Sequence, residues 1–251
     1  MKTYKTGKSA VIFLITFSIV ALAACKKDNG QVNGGTSSVS LYLSDDPSLI
    51  FDHLFLDIQK VEVKAEDDSE AENEIEHEAE HDVNDRNGST LGGWVSISIR
   101  PGIYDLLKFR NGLDTILGTG NFSANKNLRK IRITLGQNNH GVLNGATVPL
   151  VVKDKDNVIV LKLDEATASS GENSLHISID IDASRSVRQH GNEFELKPQA
   201  SSFNRVNSGG IEGRVLPADA HAVIFAINGT DTSSAIPEQE GEFKIRGLKN
   251  G

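Results

Sequence analysis

Apolar and polar positions alternate along most of this chain. Val39, Leu41 and Leu43 are separated by Ser40 and Tyr42, the period of two that gives a strand one core-facing side. Ser44-Asp45-Asp46-Pro47 ends the run, because Asp and Pro favour a turn. Leu54, Leu56 and Ile58 alternate, and Val61 and Val63 continue on the shifted phase. A bulge near Gln59-Lys60 is expected to absorb the extra residue. Residues 94–99 resume the pattern and Pro101-Gly102 turns it, while residues 104–109 are short and fit neither period. Residues 128–135 point Ile131, Ile133 and Leu135 inward, with Arg132 and Thr134 outward. Asn144-Gly145, between Val142-Leu143 and residues 146–152, is a tight hairpin signal. Residues 158–163, 174–181 and 194–196 complete the set, and Lys197-Pro198 closes it. No stretch of the body sustains a helical period. The expected fold is therefore all-β, an antiparallel sandwich or barrel-like main domain.

Beyond Asn207-Ser208-Gly209-Gly210, which reads as a linker, four more short strands are expected at 211–215, 222–227, 232–236 and 242–245. Four short strands bury too little surface to be comfortable alone. The expected organisation is a main domain over 38–206 and a small, incomplete β domain over 207–251.

The N-terminus follows a different rule. Lys2, Lys5 and Lys8 precede an apolar run over residues 10–24, broken only by Thr16 and Ser18. That is the charged start and short apolar stretch of a secretory signal. A spanning helix needs about 20 apolar residues, more than this run offers. The run ends in Leu22-Ala23-Ala24-Cys25, which resembles the lipobox of bacterial lipoproteins. The resemblance implies that the Cys25 thiol takes diacylglycerol, that cleavage removes residues 1–24, and that the new amino group is acylated. Several acyl chains of the palmitate kind make a firm membrane anchor where one is marginal. A soluble secreted protein with an incidental cysteine is the alternative. Residues 25–37, rich in Gly, Asn and Ser, then form a flexible tether. Lys26-Lys27-Asp28 loosely resembles a Lys-plus-acid tag for surface lipoproteins, and leaves the leaflet open. The expected location is the cell envelope, as an outer-membrane lipoprotein that reaches the surface if the tag is read.

Composition sharpens the picture in two ways. One cysteine permits no internal disulfide, so stability rests on packing. The net charge of −8 is concentrated, because eleven acids and no Lys or Arg lie between Glu66 and Asp85. Without them the body carries about +3, with no basic stripe of interleaved aromatics, so nucleic acid is not an expected partner. An acidic insertion over 65–90 is expected between two strands.

Four groups of residues bear on chemistry. His77-Glu78-Ala79-Glu80-His81 matches His-Glu-x-x-His, the spacing that sets two zinc-binding imidazoles on one helix face with a glutamate base. It sits in an alternating glutamate tract without apolar flanks, so a solvated charged loop is the simpler reading. Weak capture of Ca²⁺ or Zn²⁺ by His77, Glu78 and His81 is the remaining option. Asp45, Asp46, Asp180 and Asp182 are a second oxygen-rich set, read as turn formers and outward-facing strand residues. Trp94 is the only tryptophan, and serves either as a sugar-stacking platform or as core. His53, His140, His176, His190 and His221 lack partner spacing and are expected at surfaces or turns. No nucleophile motif or phosphate-cradling loop is found, so a catalytic function is not expected.

Two families are resembled. Ser44-Asp45-Asp46-Pro47, Trp94-Val95, Tyr104-Asp105-Leu106-Leu107, residues 180–187 and Leu196-Lys197-Pro198 are similar, in order, to a bacterial lipoprotein domain of unknown function, family four-three-eight-two. Asp46 replaces the family's usual Ala, and the acidic insertion lengthens a usually shorter loop. Residues 210–251 resemble the start of a carboxypeptidase regulatory-like domain, through Ile211-Glu212-Gly213-Arg214-Val215 and residues 241–248. That resemblance implies a transthyretin-like sandwich of carbohydrate-binding-like fold, here without its usual continuation. The function expected from all this is a lipid-anchored envelope binding module, with carbohydrate as the first ligand class. The alternative is a structural or adhesive scaffold that binds other envelope proteins through strand edges.

Overall fold

The computed structural model describes residues 35–46, 51–66, 93–124, 126–168, 174–229 and 231–249. The strands in chain order are β1 (Thr36–Asp46), β2 (His53–Glu66), β3 (Trp94–Ser96), β4 (Ser98–Ile99), β5 (Gly102–Asp105) and β6 (Thr115–Ser123). Then come β7 (Asn127–Leu135), β8 (His140–Leu143), β9 (Ala146–Val151), β10 (Val158–Lys162), β11 (Ser174–Asp182) and β12 (Val187–His190). The last six are β13 (Glu193–Leu196), β14 (Ala200–Asn204), β15 (Gly209–Arg214), β16 (Ile224–Asn228), β17 (Asp231–Ala235) and β18 (Glu242–Leu248). All belong to one unit, Gly34–Gly251.

Two sheets form the sandwich. One has the order β14-β11-β1-β6-β4; the other runs β10-β7-β2-β8-β9-β13-β12, with β3 and β5 also paired to β2. The inward rows predicted from alternation meet between them. Val39, Leu41 and Leu43 of β1 and Ile177, Ile179 and Ile181 of β11 are fully buried, in one cluster with Leu54, Leu56, Ile58, Val61 and Val63 of β2. Each such side chain contributes about 1.5–3 kcal/mol on burial. That term holds together a fold that has no disulfide.

Two local expectations hold. The β2–β7 register shifts between Ile58 and Lys60, so the bulge lies where the apolar phase changes. Asn144 and Gly145 have φ of 50° and 77°, the left-handed pair that a two-residue hairpin needs between β8 and β9.

Three others are revised. Pairing is antiparallel through most of both sheets, but β1–β11 and β9–β13 run parallel. Periodicity is blind to strand direction. Residues 94–99 form two strands in two sheets: β3 pairs with β2, β4 with β6, and Ile97 between them donates its N–H to Val61 O. Arg132, on the outward row of β7, is buried nonetheless, because Glu62 and Trp94 enclose it.

The C-terminal strands form two ribbons, β15–β18 and β16–β17. They meet the body through the turn at Asn111-Gly112. Asn111 Oδ1 accepts from Lys244 N at 2.9 Å and its Nδ2 donates to Glu242 O at 3.2 Å. Ile245 of β18 and Ala235 of β17 are buried.

Candidate functional site

The parallel pairing of β1 with β11 decides where the chemistry collects. It sets Ser44 beside Asp180, Asp45 beside Ile181, and Asp46 beside Asp182 at the C-terminal ends of the two strands. Segments more than a hundred residues apart in sequence therefore share one end of one sheet.

Asp45, Asp180 and Asp182 each have a defined task there. Asp45 is buried and its Oδ1 accepts from Ala183 N at 3.2 Å, so it fixes the turn after β11 rather than its own. Asp182 caps the helical turn Ala183–Ser186, where Oδ1 accepts from Arg185 N at 2.8 Å and Ser184 Oγ at 2.7 Å. Its Oδ2 pairs with Arg185 Nε at 2.6 Å, which aims the guanidinium along the surface. Asp180 Oδ1 accepts from Ser44 Oγ at 3.0 Å. Buried Ser186 then receives Gln199 N on its hydroxyl and Lys197 N on its carbonyl, tying Lys197-Pro198-Gln199 to the same end. Among the described residues no group of three histidines, cysteines or acids converges to hold a metal ion.

Beside this end opens a cleft of 490 Å³. Asp180, Asp182, Arg185 and Phe203 form the wall from the body. The opposite wall comes from the C-terminal strands, with Ile227, Asn228, Asp231 and Lys249. Lys249 Nζ lies 3.5 Å from Asp164 Oδ2 and 3.8 Å from Asp231 Oδ2. Hydrogen bonds from the Thr167 side chain and backbone, and then Lys249, hold the Asp164 carboxyl below its usual value.

A second cleft, of 510 Å³, lies beyond Phe203 and Arg246, which border both. Arg205, Lys244 and the backbone of Ser208-Gly209-Gly210 line it. Arg205 Nη1 and Arg246 Nη1 both donate to Asp114 Oδ2, at 2.7 and 2.8 Å.

Trp94 is buried on the outer face of its sheet, opposite Lys64 and apart from the main core cluster. It is 7% exposed, with the Arg132 guanidinium 4.3 Å from its ring centroid. Cys25 and the His77, Glu78 and His81 set lie outside the described residues. The single histidines lie at intermediate or exposed positions, yet His53 Nδ1 is 2.8 Å from buried Asp105 Oδ2 and His190 Nε2 is 3.3 Å from Glu195 Oε2. Residues of the far wall and Asn111 were not legible as site residues. Asn111-Gly112 and Asn228-Gly229 carried a turn signal and nothing more.

Of the residues that line the first cleft, Asp180, Asp182 and Arg185 precede Pro198 and the others follow it. The model of a family described as a domain of unknown function, DUF4382, matches residues 36–198. The chain belongs to DUF4382. No curated protein and no solved structure matches it significantly. The DUF4382 match includes β1, β11 and the capped turn, whereas Phe203 and the far wall of the cleft lie C-terminal to it.

Proposed function

We propose that this DUF4382 chain is a lipid-anchored binding module of the cell envelope, attached through Cys25, whose ligand is a glycan seated in the 490 Å³ cleft. That cleft is the observation that carries the reading. Its volume falls in the range of small-molecule sites, about 300–1,000 Å³. Its polar groups are the planar kind, the carboxylates of Asp180 and Asp231, the amide of Asn228 and the guanidinium of Arg185, which match pairs of neighbouring hydroxyls. Phe203 and Ile227 add apolar patches for the C–H face of a sugar ring. The acids and bases are largely paired with one another, so the site offers directional hydrogen bonds more than a bare charge.

A glycan array with the purified full chain in detergent tests this. Reproducible hits that disappear in Ser201→Trp, which fills the cleft from an exposed position, support it. A blank array removes it. The anchor has its own test: mass spectrometry of the cell-derived protein should find acylated Cys25, and Cys25→Ser should move the protein to the soluble fraction. A protein partner is the second reading, favoured by Phe225 and Ile227, which are 60% and 72% exposed on one face of β16. A blank array together with one envelope protein cross-linked at Phe225 would favour it.

A further inference from the structure

The second cleft has a charge arrangement that the glycan reading alone does not use. Arg205 and Arg246 each give one nitrogen to the same oxygen of Asp114. A guanidinium has five N–H donors in a rigid fork suited to a planar or tetrahedral oxyanion. One shared carboxylate oxygen engages a small part of two such forks. Arg205 is held in place from behind, with its guanidinium 3.8 Å from the Tyr42 ring centroid, so little of its freedom remains to be lost on binding.

Lys244 adds a third cation on the same cleft, paired with Glu212. Three cations face two carboxylates, and the local balance is positive by one charge. The backbone contributes independently. The β15–β18 register passes over Gly247 of β18, the extra residue of a bulge opposite Gly209 and Gly210 of β15. Gly209 and Gly210 are exposed and line the cleft, so a ligand can approach the main chain with no side chain in the way.

We infer that the cleft bounded by Arg205, Arg246, Lys244 and the exposed glycines Gly209 and Gly210 is the subsite for an oxyanion, and that the module's glycan is an acidic one. The second half rests on the glycan reading, whereas the first stands on its own. Because Phe203 and Arg246 border both clefts, a sugar chain in the larger one can place a carboxylate or sulfate group in the other.

The test titrates the full chain in detergent with sodium glucuronate, sodium sulfate and, as a neutral control, glucose. Amide signals of Gly209 and Gly210 and the Nε signals of Arg205 and Arg246 are followed by nuclear magnetic resonance. Glucuronate and sulfate should shift these signals saturably and glucose should not. Lys244→Gln, which leaves the Asp114 fork intact, should weaken binding about ten-fold, the loss expected for a hydrogen bond to a charged group. Arg205→Gln should abolish the shifts, with hydrogen exchange in β18 showing whether the C-terminal strands stay docked. If neither anion shifts the four signals saturably, or if Lys244→Gln leaves the affinity unchanged, the inference is wrong. Array hits to neutral glycans would then leave the function proposed above standing. Sulfate binding beside a blank array would do the reverse, keeping the anion subsite and removing the glycan.

Discussion

Glu62 and Arg132 stand directly opposite each other on β2 and β7, and Arg132 Nε donates to Glu62 Oε2 at 2.8 Å beneath the Trp94 ring. Both side chains are about nine-tenths buried, on the outer face of a sheet where alternation alone expects water. Lys60 Nζ completes the group at 2.7 Å from Glu62 Oε1. A buried pair of this kind adds little net stability, but removing one partner strands the other charge.

Glu62→Gln is therefore expected to cost about 3 kcal/mol, the scale for breaking a buried pair. A urea titration with an unchanged midpoint would contradict it. The pH dependence follows from the same contacts. Burial raises the Glu62 pKa, but the hydrogen bonds and charges of Arg132 and Lys60 outweigh it and hold the group below its ordinary value. Its contribution is fully present above the unfolded-state value of about 4.3 and is lost as pH falls through the lower folded-state one. The acid-side fall in melting temperature should be shallower in Glu62→Gln than in the parent.

Gly118 of β6 is where the crossing from β3 to β4 presses on the neighbouring strand. A Cβ there would lie 2.6 Å from Ser98 O, a backbone atom that cannot turn aside. Gly118→Val should destabilise the protein by about 2 kcal/mol through overpacking. Thermal unfolding measures this, and faster amide exchange at Ser98 and Ile99 should accompany it.

Asn111→Ala removes both hydrogen bonds to β18 and places alanine at a φ of 61°. Hydrogen exchange over residues 242–248 should accelerate about thirty-fold, as expected from roughly 1 kcal/mol for each of the two lost bonds. Exchange in β1 and β11 should stay as it was. A uniform acceleration across the chain would mean that the turn supports the whole fold instead.

Asp182→Ala deletes the cap of the helical turn and releases Arg185 from the cleft wall. Stability should fall by about 1 kcal/mol. Array signals should fall with it, while Asp182→Asn, which keeps a capping oxygen, should restore stability more than binding. Equal recovery of both would show that Asp182 matters to the cleft only as a structural cap.

The sandwich was readable because burial of one face imposes a period of two on the residues that build it. Val39, Leu41 and Leu43, and Leu175, Ile177, Ile179 and Ile181, announce their inward faces without reference to any neighbour. The Ile58–Lys60 bulge was readable for the same reason, since a phase shift in the pattern is a local event. Arg132 was misjudged because its cover comes from Glu62, seventy positions away, and from Trp94. The four aspartates were seen as a set, but the separate tasks of Asp45, Asp180 and Asp182 depend on a parallel register that no periodicity encodes.

What the sequence by itself determined is the class of the fold, the faces of its strands, and the local turns such as Asn144-Gly145. These follow from apolar burial and backbone preference, which act over a few residues. Tertiary structure alone decided that β1 and β11 lie side by side and that β14 to β18 close a cleft over their ends. Strand direction and cross-sheet contact depend on which partners the chain meets in space, so Asp114 could not be known to hold Arg205 and Arg246 until the fold brought them together.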